Sequence, residues 1–369
     1  MKKLILASIC SCFFLITNAQ EEKMALSLNE AINLAIENSY NTKASKNDIK
    51  SATEKVWETT TIGLPQINGA IDYQNWLKQQ VSLLPAEITG GPAGTFTPVT
   101  FGTKQNIGTN ITLKQLLFDG SYLVGLQASR TYLKISKQAN EKTELLTREA
   151  IINAYGNVLV SENSISILEK NLKIIKKNLS DVKKIYENGL NEQEDIEQLE
   201  ITLGNLNSQL NSVKRMKGIA YKMLNLSLGN PIKTELTLTD TLDSLVKSNI
   251  KLGIVSEEFN FSKHVDFRIA ENDRESKRLL LKLEKSKALP TLSAFVNYGA
   301  QGYSDTFSFL NNEQEWFNSS LLGVSLNIPI FSSLGRSSKT KQAKIALENA
   351  DIKLRETKQR LRLMAEKAK

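Results

Sequence analysis

Residues 151–190 read IINAYGNVLVSENSISILEKNLKIIKKNLSDVKKIYENGL, and the segment that follows, 191–224, reads NEQEDIEQLEITLGNLNSQLNSVKRMKGIAYKML. In the first, Ile151, Ala154, Val158, Ser161, Ile165, Leu168, Leu172, Ile175, Leu179, Val182 and Tyr186 recur at steps of three and four, and only Ser161 interrupts the apolar run. In the second, Ile196, Leu199, Leu203, Leu206, Leu210, Val213, Lys217, Ala220 and Leu224 keep the same rhythm, with Lys217 as the exception. A seven-residue apolar repeat sustained this long draws two helices into a left-handed supercoil, because a straight helix drifts off the seam. Val160, Ile167 and Ile174 add a second apolar row, and two rows predict two neighbours, as in a wall of side-by-side helices. No proline lies between Ser121 and Asn188. One helix of about 68 residues, ~100 Å at 1.5 Å per residue, is therefore expected. The turn is Tyr186-Glu187-Asn188-Gly189-Leu190-Asn191. Gly189 supplies the left-handed conformation that ends a helix. Asn191, with Glu194 three residues on, is the expected cap of the return helix. The acids Glu192, Glu194 and Asp195 complement the dipole of that first turn.

Outward from this hairpin the period changes. Helical patterns over 27–63 end at Gly63-Leu64-Pro65, since proline cannot continue a helix and extends its predecessor. Strands are then expected over 66–77 and 105–118. In the first, Ile67, Gly69, Ile71 and Tyr73 alternate with polar residues up to Trp76. In the second, Ile107, Thr109, Ile111 and Leu113 do the same up to Phe118. Between them, 78–104 reads as loop. The long hairpin occupies 121–228, and 229–264 is a linking segment with a short extended piece at 235–239. The plan then recurs. A helix over 265–289 ends at Ala288-Leu289-Pro290, strands follow over 291–299 (ending near Tyr298) and 320–331 (ending at Phe331), and a helix runs from 338 to 369. Pro65 to Pro290 is an offset of 225 residues and Phe118 to Phe331 one of 213, so the chain reads as an internal duplication: 20–228, then 265–369. The second copy stops in mid-helix, and mirroring the first hairpin would take about 70 further residues.

Composition narrows the function. Lys2 and Lys3 precede an apolar run from Leu4 to Ile16 and small residues at Thr17-Asn18-Ala19, the pattern of a secretory signal peptide over 1–19. Both cysteines lie inside it, so the exported chain has no thiol for disulfide, catalysis or metal. Basic residues number 47 against 39 acidic, a net charge of +8 that falls to +6 without Lys2 and Lys3. Lysine and glutamate alternate along the helices, which reads as solvated faces and not as a nucleic-acid stripe. His264 is the single histidine and belongs to no motif. No nucleophile motif, metal-ligand cluster or phosphate-binding glycine loop appears, so catalysis, cofactor and metal have no support in the sequence.

No apolar run after the leader is long enough for a membrane helix, so a membrane role requires strands. Each expected strand is about ten residues long, apolar on one side and polar on the other. The aromatics Tyr73, Trp76, Phe118, Tyr298 and Phe331 mark the expected membrane interfaces. That is the pattern of barrel strands between lipid and water. Four strands cannot close, and an open edge cannot face lipid. Three copies would give twelve strands, so the pattern predicts mainly helical protomers that pool their strands.

In these features the chain resembles the outer-membrane efflux protein family, the TolC-type exit ducts. The resemblance rests on Leu26-Ser27-Leu28-Asn29-Glu30-Ala31-Ile32-Asn33-Leu34-Ala35, on the corners at Pro65 and Pro290, and on the turn at 186–191 followed by Asp195-Ile196-Glu197-Gln198-Leu199-Glu200. It implies a homotrimer with a twelve-stranded β-barrel in outer-membrane lipid and a periplasmic barrel of long helical hairpins. It also implies passive export driven by an inner-membrane transporter of RND, ABC or MFS type through a periplasmic adaptor, with Tyr186 to Asn191 at the adaptor-facing tip. A periplasmic coiled-coil adaptor and a structural adhesin share the hairpin, but neither accounts for two amphipathic strand pairs.

Overall fold

The computed structural model describes residues 24–249 and 260–367. The expected signal peptide over 1–19 lies outside these residues. Two compact units are present, each assembled from separated stretches of chain: one from residues up to 50, 136–266 and 361 onward, the other from 51–135 and 267–360.

The first unit is built on the helical hairpin. Its strands β1 (Met24–Leu26) and β6 (Leu236–Leu238) pair in parallel. Helix α1 (Leu28–Asn38) starts at a capping box, in which the Glu30 carboxylate accepts from the Ser27 amide at 2.8 Å. Helix α2 (Tyr40–Thr61) begins two residues later. The hairpin helices are α3 (Gly120–Glu187), 68 residues as expected, and α4 (Gln193–Leu228). Their seam buries Leu168, Leu172 and Leu210 with Ile165, Leu203, Leu206 and Val213 around them. Farther along, Ile151, Tyr155, Val158, Leu224 and Leu228 close on Leu26, Ala31, Ile32 and Ala35 of β1 and α1.

Lys217, the break in the apolar rhythm, is partnered. Its ammonium lies 2.9 Å from Glu162 and 5.7 Å from the centre of the Tyr221 ring, while the Tyr221 hydroxyl donates to Glu162 at 2.9 Å. Burial, and then the Glu162 carboxylate, push the Tyr221 hydroxyl above its ordinary range. Tyr155 is fully buried, with its hydroxyl 3.0 Å from the Leu26 carbonyl and 3.1 Å from the Asp240 carboxylate. Asp240 also accepts from the Leu28 amide at 2.7 Å, so one tyrosine and one aspartate tie β1 to the hairpin and to the segment after β6. No heptad pattern announces this knot, because its partners are 85 and 129 residues away.

The second unit is organised by one sheet. Strands β2 (Gln66–Asn75), β5 (Gln105–Asp119), β7 (Thr291–Ser304) and β8 (Trp316–Asn327) are antiparallel neighbours in the order β2-β5-β7-β8, two hairpins side by side. Helices α2 and α6 (Val265–Ser286) lead into β2 and β7, and α3 and α7 (Gly335–Lys367) lead out of β5 and β8. Leu116 pairs with Ser293 and Phe118 with Leu292, so an irregularity falls at Leu117 and brings Phe118 onto the face of Leu292 and Leu326.

Several boundaries differ from the sequence reading. The loop at 78–104 contains a small hairpin, β3 (Val81–Pro85) with β4 (Phe96–Thr100), whose strands are too short and too rich in proline to show a period. The linking segment 229–264 contains helix α5 (Leu242–Asn249). Strand β7 runs five residues beyond 299. A Cβ at Gly299 would stand 2.9 Å from the Thr109 carbonyl, so this glycine marks close strand approach and not a strand end. Strand β8 lies earlier than 320–331, because Pro329 has no N–H to extend the ladder. Helix α7 begins at Gly335, three residues before Ser338.

Candidate functional site

Strand alternation divides the sheet into two chemically distinct faces. One face carries Ile67, Leu113, Val296 and Leu322 as a cross-strand row, with Ile71, Ile111, Tyr298, Val324 and Leu326 in neighbouring rows. Ile67, Ile71, Ile111, Val296, Leu322, Val324 and Leu326 are all exposed. The other face carries Asn68, Thr112 and Asn297 in one row and Asp72, Gly108 and Gln301 in another. Here Asn297 donates to Asn110 at 3.0 Å and to Thr112 at 2.9 Å, and Thr112 donates to Asn110 at 2.9 Å. A hollow of about 440 Å³ opens on this face, lined by Asp72, Gln74, Asn106, Asn110, Asn297 and Gln301 among others. A surface that is apolar and exposed behind, and hydrogen-bonding and hollow in front, has the chemistry of a wall between hydrocarbon and water. Among the described residues this sheet has four strands and does not close into a barrel: β2 and β8 are its open edges.

The corners stand where proline was expected to set them. Pro65 immediately precedes β2 and Pro290 immediately precedes β7. At the loop-joined end of the sheet, Tyr73 packs edge-on against Phe307 and Phe309, with ring centres 5.9 and 6.0 Å apart. Trp76 follows β2, its amide bonded to the Lys104 carbonyl at 2.9 Å. Phe118 lies at the helix-joined end of β5, and Phe331 in the exposed turn before α7. Tyr298 requires a correction: because β7 continues to Ser304, it sits at mid-length opposite Ile111 and Ser320, not at a strand end. Tyr303, Trp316 and Phe317 occupy that end instead, with Tyr303 and Phe317 5.9 Å apart. Phe307 and Phe309 lie in a loop without periodicity, so only the folded chain brings them to Tyr73.

At the hairpin turn, Gly189 has φ +74° and the Leu190 amide reaches back to the Ile185 carbonyl at 3.2 Å. The Asn188 side chain donates to the Lys184 carbonyl at 2.7 Å. Tyr186, Glu187 and Leu190 are exposed. The expected cap differs: α4 starts at Gln193, and its flanking residue is Glu192, whose side chain makes no cap bond. Asn191 is one residue too early for that role. The helix start is served electrostatically by Glu194 and Asp195 in its first turn. Lys183 and Glu200 bridge the two helices near the turn at 2.6 Å.

His264 acts within the chain: its Nδ1 accepts from the Asp266 amide at 3.2 Å, at the start of α6. Among the described residues, no group of three or more His, Cys, Asp or Glu could hold a metal ion, and no helix is long and apolar enough to cross a membrane.

No protein-family model and no curated protein matches the chain by sequence. Solved structures match it by shape. A CusC structure, described for conformational changes accompanying folding and transmembrane channel formation, is 17% identical with a TM-score of 0.68, covering 94% of this chain and 76% of CusC. The outer membrane protein VceC from Vibrio cholerae is 14% identical with a TM-score of 0.67, covering 92% and 77%. The CmeC outer membrane channel of Campylobacter jejuni is 16% identical with a TM-score of 0.63, covering 89% and 67%. The chain therefore has the fold of outer-membrane channel proteins. The helix-rich chain with one sheet matches the TolC-type resemblance at that level.

Proposed function

We propose that this chain is the protomer of an outer-membrane exit duct of the TolC-type efflux family, acting in a tripartite efflux or type I secretion system. One observation carries the reading: a four-stranded sheet whose apolar face is exposed and whose two edges are open. Such a sheet is stable neither in water nor alone in lipid, and joining like copies edge to edge satisfies both faces and both edges. Three copies give a twelve-stranded barrel, with Tyr73, Trp76, Phe118 and Phe331 among the interface aromatics and the proline corners at its periplasmic rim. The segments 20–228 and 265–369 are read as two copies of one ancestral repeat. The fold shared with CusC, VceC and CmeC supports the outer membrane as the location. Transport through the duct is passive, and it is no enzyme. An inner-membrane transporter of RND, ABC or MFS type supplies the free energy through a periplasmic adaptor that meets the turn at 186–191.

Purification tests the duct directly. The full-length protein should fractionate with outer membranes, need detergent, and crosslink as a trimer; a monomer released into buffer by salt alone overturns the proposal. The tip is tested separately. Gly189→Pro cannot adopt φ +74°, because proline is held near −65°. It should abolish crosslinking to the adaptor while the trimer persists, and undiminished crosslinking would count against the tip.

A further inference from the structure

We propose that the polar face of the barrel carries two rings of opposite charge, Lys114 toward the helix-joined end and Asp72 toward the loop-joined end, and that together they make the pore pass ions better in one direction than the other. This rests on the trimeric duct proposed above. The four strands contain only three side chains that are charged at neutral pH, Asp72, Lys114 and Asp119. Asp119 is committed to the start of α3, where its carboxylate accepts from the amides of Ser121 at 2.6 Å and Tyr122 at 3.2 Å. Asp72 and Lys114 are exposed, and strand parity puts both on the polar face, opposite Gly108 and Gln66 respectively. Gly108 is six residues along β5 from Lys114, a separation of ~20 Å at 3.3 Å per residue. Between the two levels lies the neutral ladder of Asn110, Thr112 and Asn297.

In a threefold assembly each residue becomes a ring of three like charges. Basic rings concentrate anions and acidic rings concentrate cations. When the helix side is electrically negative, anions enter through the lysine ring and cations through the aspartate ring, so carriers of both signs accumulate between the rings and conductance rises. With the polarity reversed, each ring meets the ion it repels and the middle of the lumen is depleted. Screening sets the condition: fixed charge reaches about 10 Å at 0.1 M salt and about 3 Å at 1 M.

Single-channel recording of the full-length trimer in planar bilayers tests this. At about 0.1 M KCl, equal and opposite voltages should give unequal currents, and the asymmetry should disappear at about 1 M, where screening is short. It should also disappear in the double variant Asp72→Asn, Lys114→Gln. In a salt gradient, Lys114→Gln should move the reversal potential toward cation selectivity and Asp72→Asn toward anion selectivity. Pores whose asymmetry and reversal potential ignore both substitutions overturn the inference and leave the duct standing. A trimer-free preparation that forms no pore overturns the duct, and the charged rings with it.

Discussion

Leu168, Leu172 and Leu210 in the hairpin seam are 8, 6 and 8% exposed, whereas Ile67, Ile71 and Leu322 on the sheet are 68, 73 and 74% exposed. These are the same kinds of side chain, ordered by their respective periods, yet the hairpin covers its apolar stripe with its own return helix, while none of the described residues covers that face of the sheet. The difference separates two solvents. A seam that closes on itself follows the rule for a chain in water, where burial of a leucine is worth about 1.5–3 kcal/mol. A sheet that presents aliphatic rows outward and hydrogen-bonded asparagines on its other face has the inverse pattern, the one the proposed duct requires where hydrocarbon is the surrounding medium. The hairpin also keeps one uncovered row of its own, Val160, Ile167 and Ile174, all exposed. The second neighbour that this row predicts is not found among the described residues.

Charge on the apolar face should break the contrast most severely. Ile111→Lys places an ammonium at mid-strand on the aliphatic face, at a cost of about 2–4 kcal/mol per copy near a bilayer midplane. Detergent-stable trimers should be lost, read as trimer fraction on a gel, while Thr112→Lys on the polar face leaves them intact. Equal effects at the two positions would mean that the faces do not differ in solvent.

The hairpin should respond in water. Leu224→Ala, at a fully buried position, should destabilise the helical unit by about 2–5 kcal/mol, seen as an earlier helical melt by circular dichroism. The trimer's strand pairing should be less affected than in Ile111→Lys.

The smallest expected effect is alkaline. Burial first, and then the Asp240 carboxylate, hold the Tyr155 hydroxyl up at about 12, against an ordinary value of 10.0. Between those values the unfolded chain releases a proton that the folded chain still holds, so stability present below pH 10 is lost progressively as the pH rises toward about 12. Melting curves across that range should show the loss, and Tyr155→Phe should flatten it. The residual slope should belong partly to Tyr221, which is shifted in the same direction.

The hairpin and both strand pairs were legible because their signals are local and repeated. Heptads through 151–224, alternation through 66–75 and 105–113, and proline at 65 and 290 each constrain the chain within a few residues. The errors fall where a local signal was ambiguous. The alternation after Pro290 is legible only as far as Tyr298, which places the strand end at 299, yet β7 continues five residues further through Gly299, where the strands approach closely. Asn191 reads as a cap, yet the helix starts two residues after it. The β3–β4 hairpin and α5 are too short for any period to emerge from the surrounding residues.

By itself the sequence determined which residues share a face, because side-chain direction follows from helix and strand periods that the backbone imposes everywhere. Only the tertiary structure decided which distant pieces meet: β1 beside β6, Tyr155 against Asp240, Phe307 and Phe309 on Tyr73, and the neighbouring of β5 with β7 that merges two hairpins into one sheet. Those pairings join segments that lie far apart in the sequence. Their selection depends on the loop-closure entropy and the burial of the whole chain, quantities that no short stretch of residues contains.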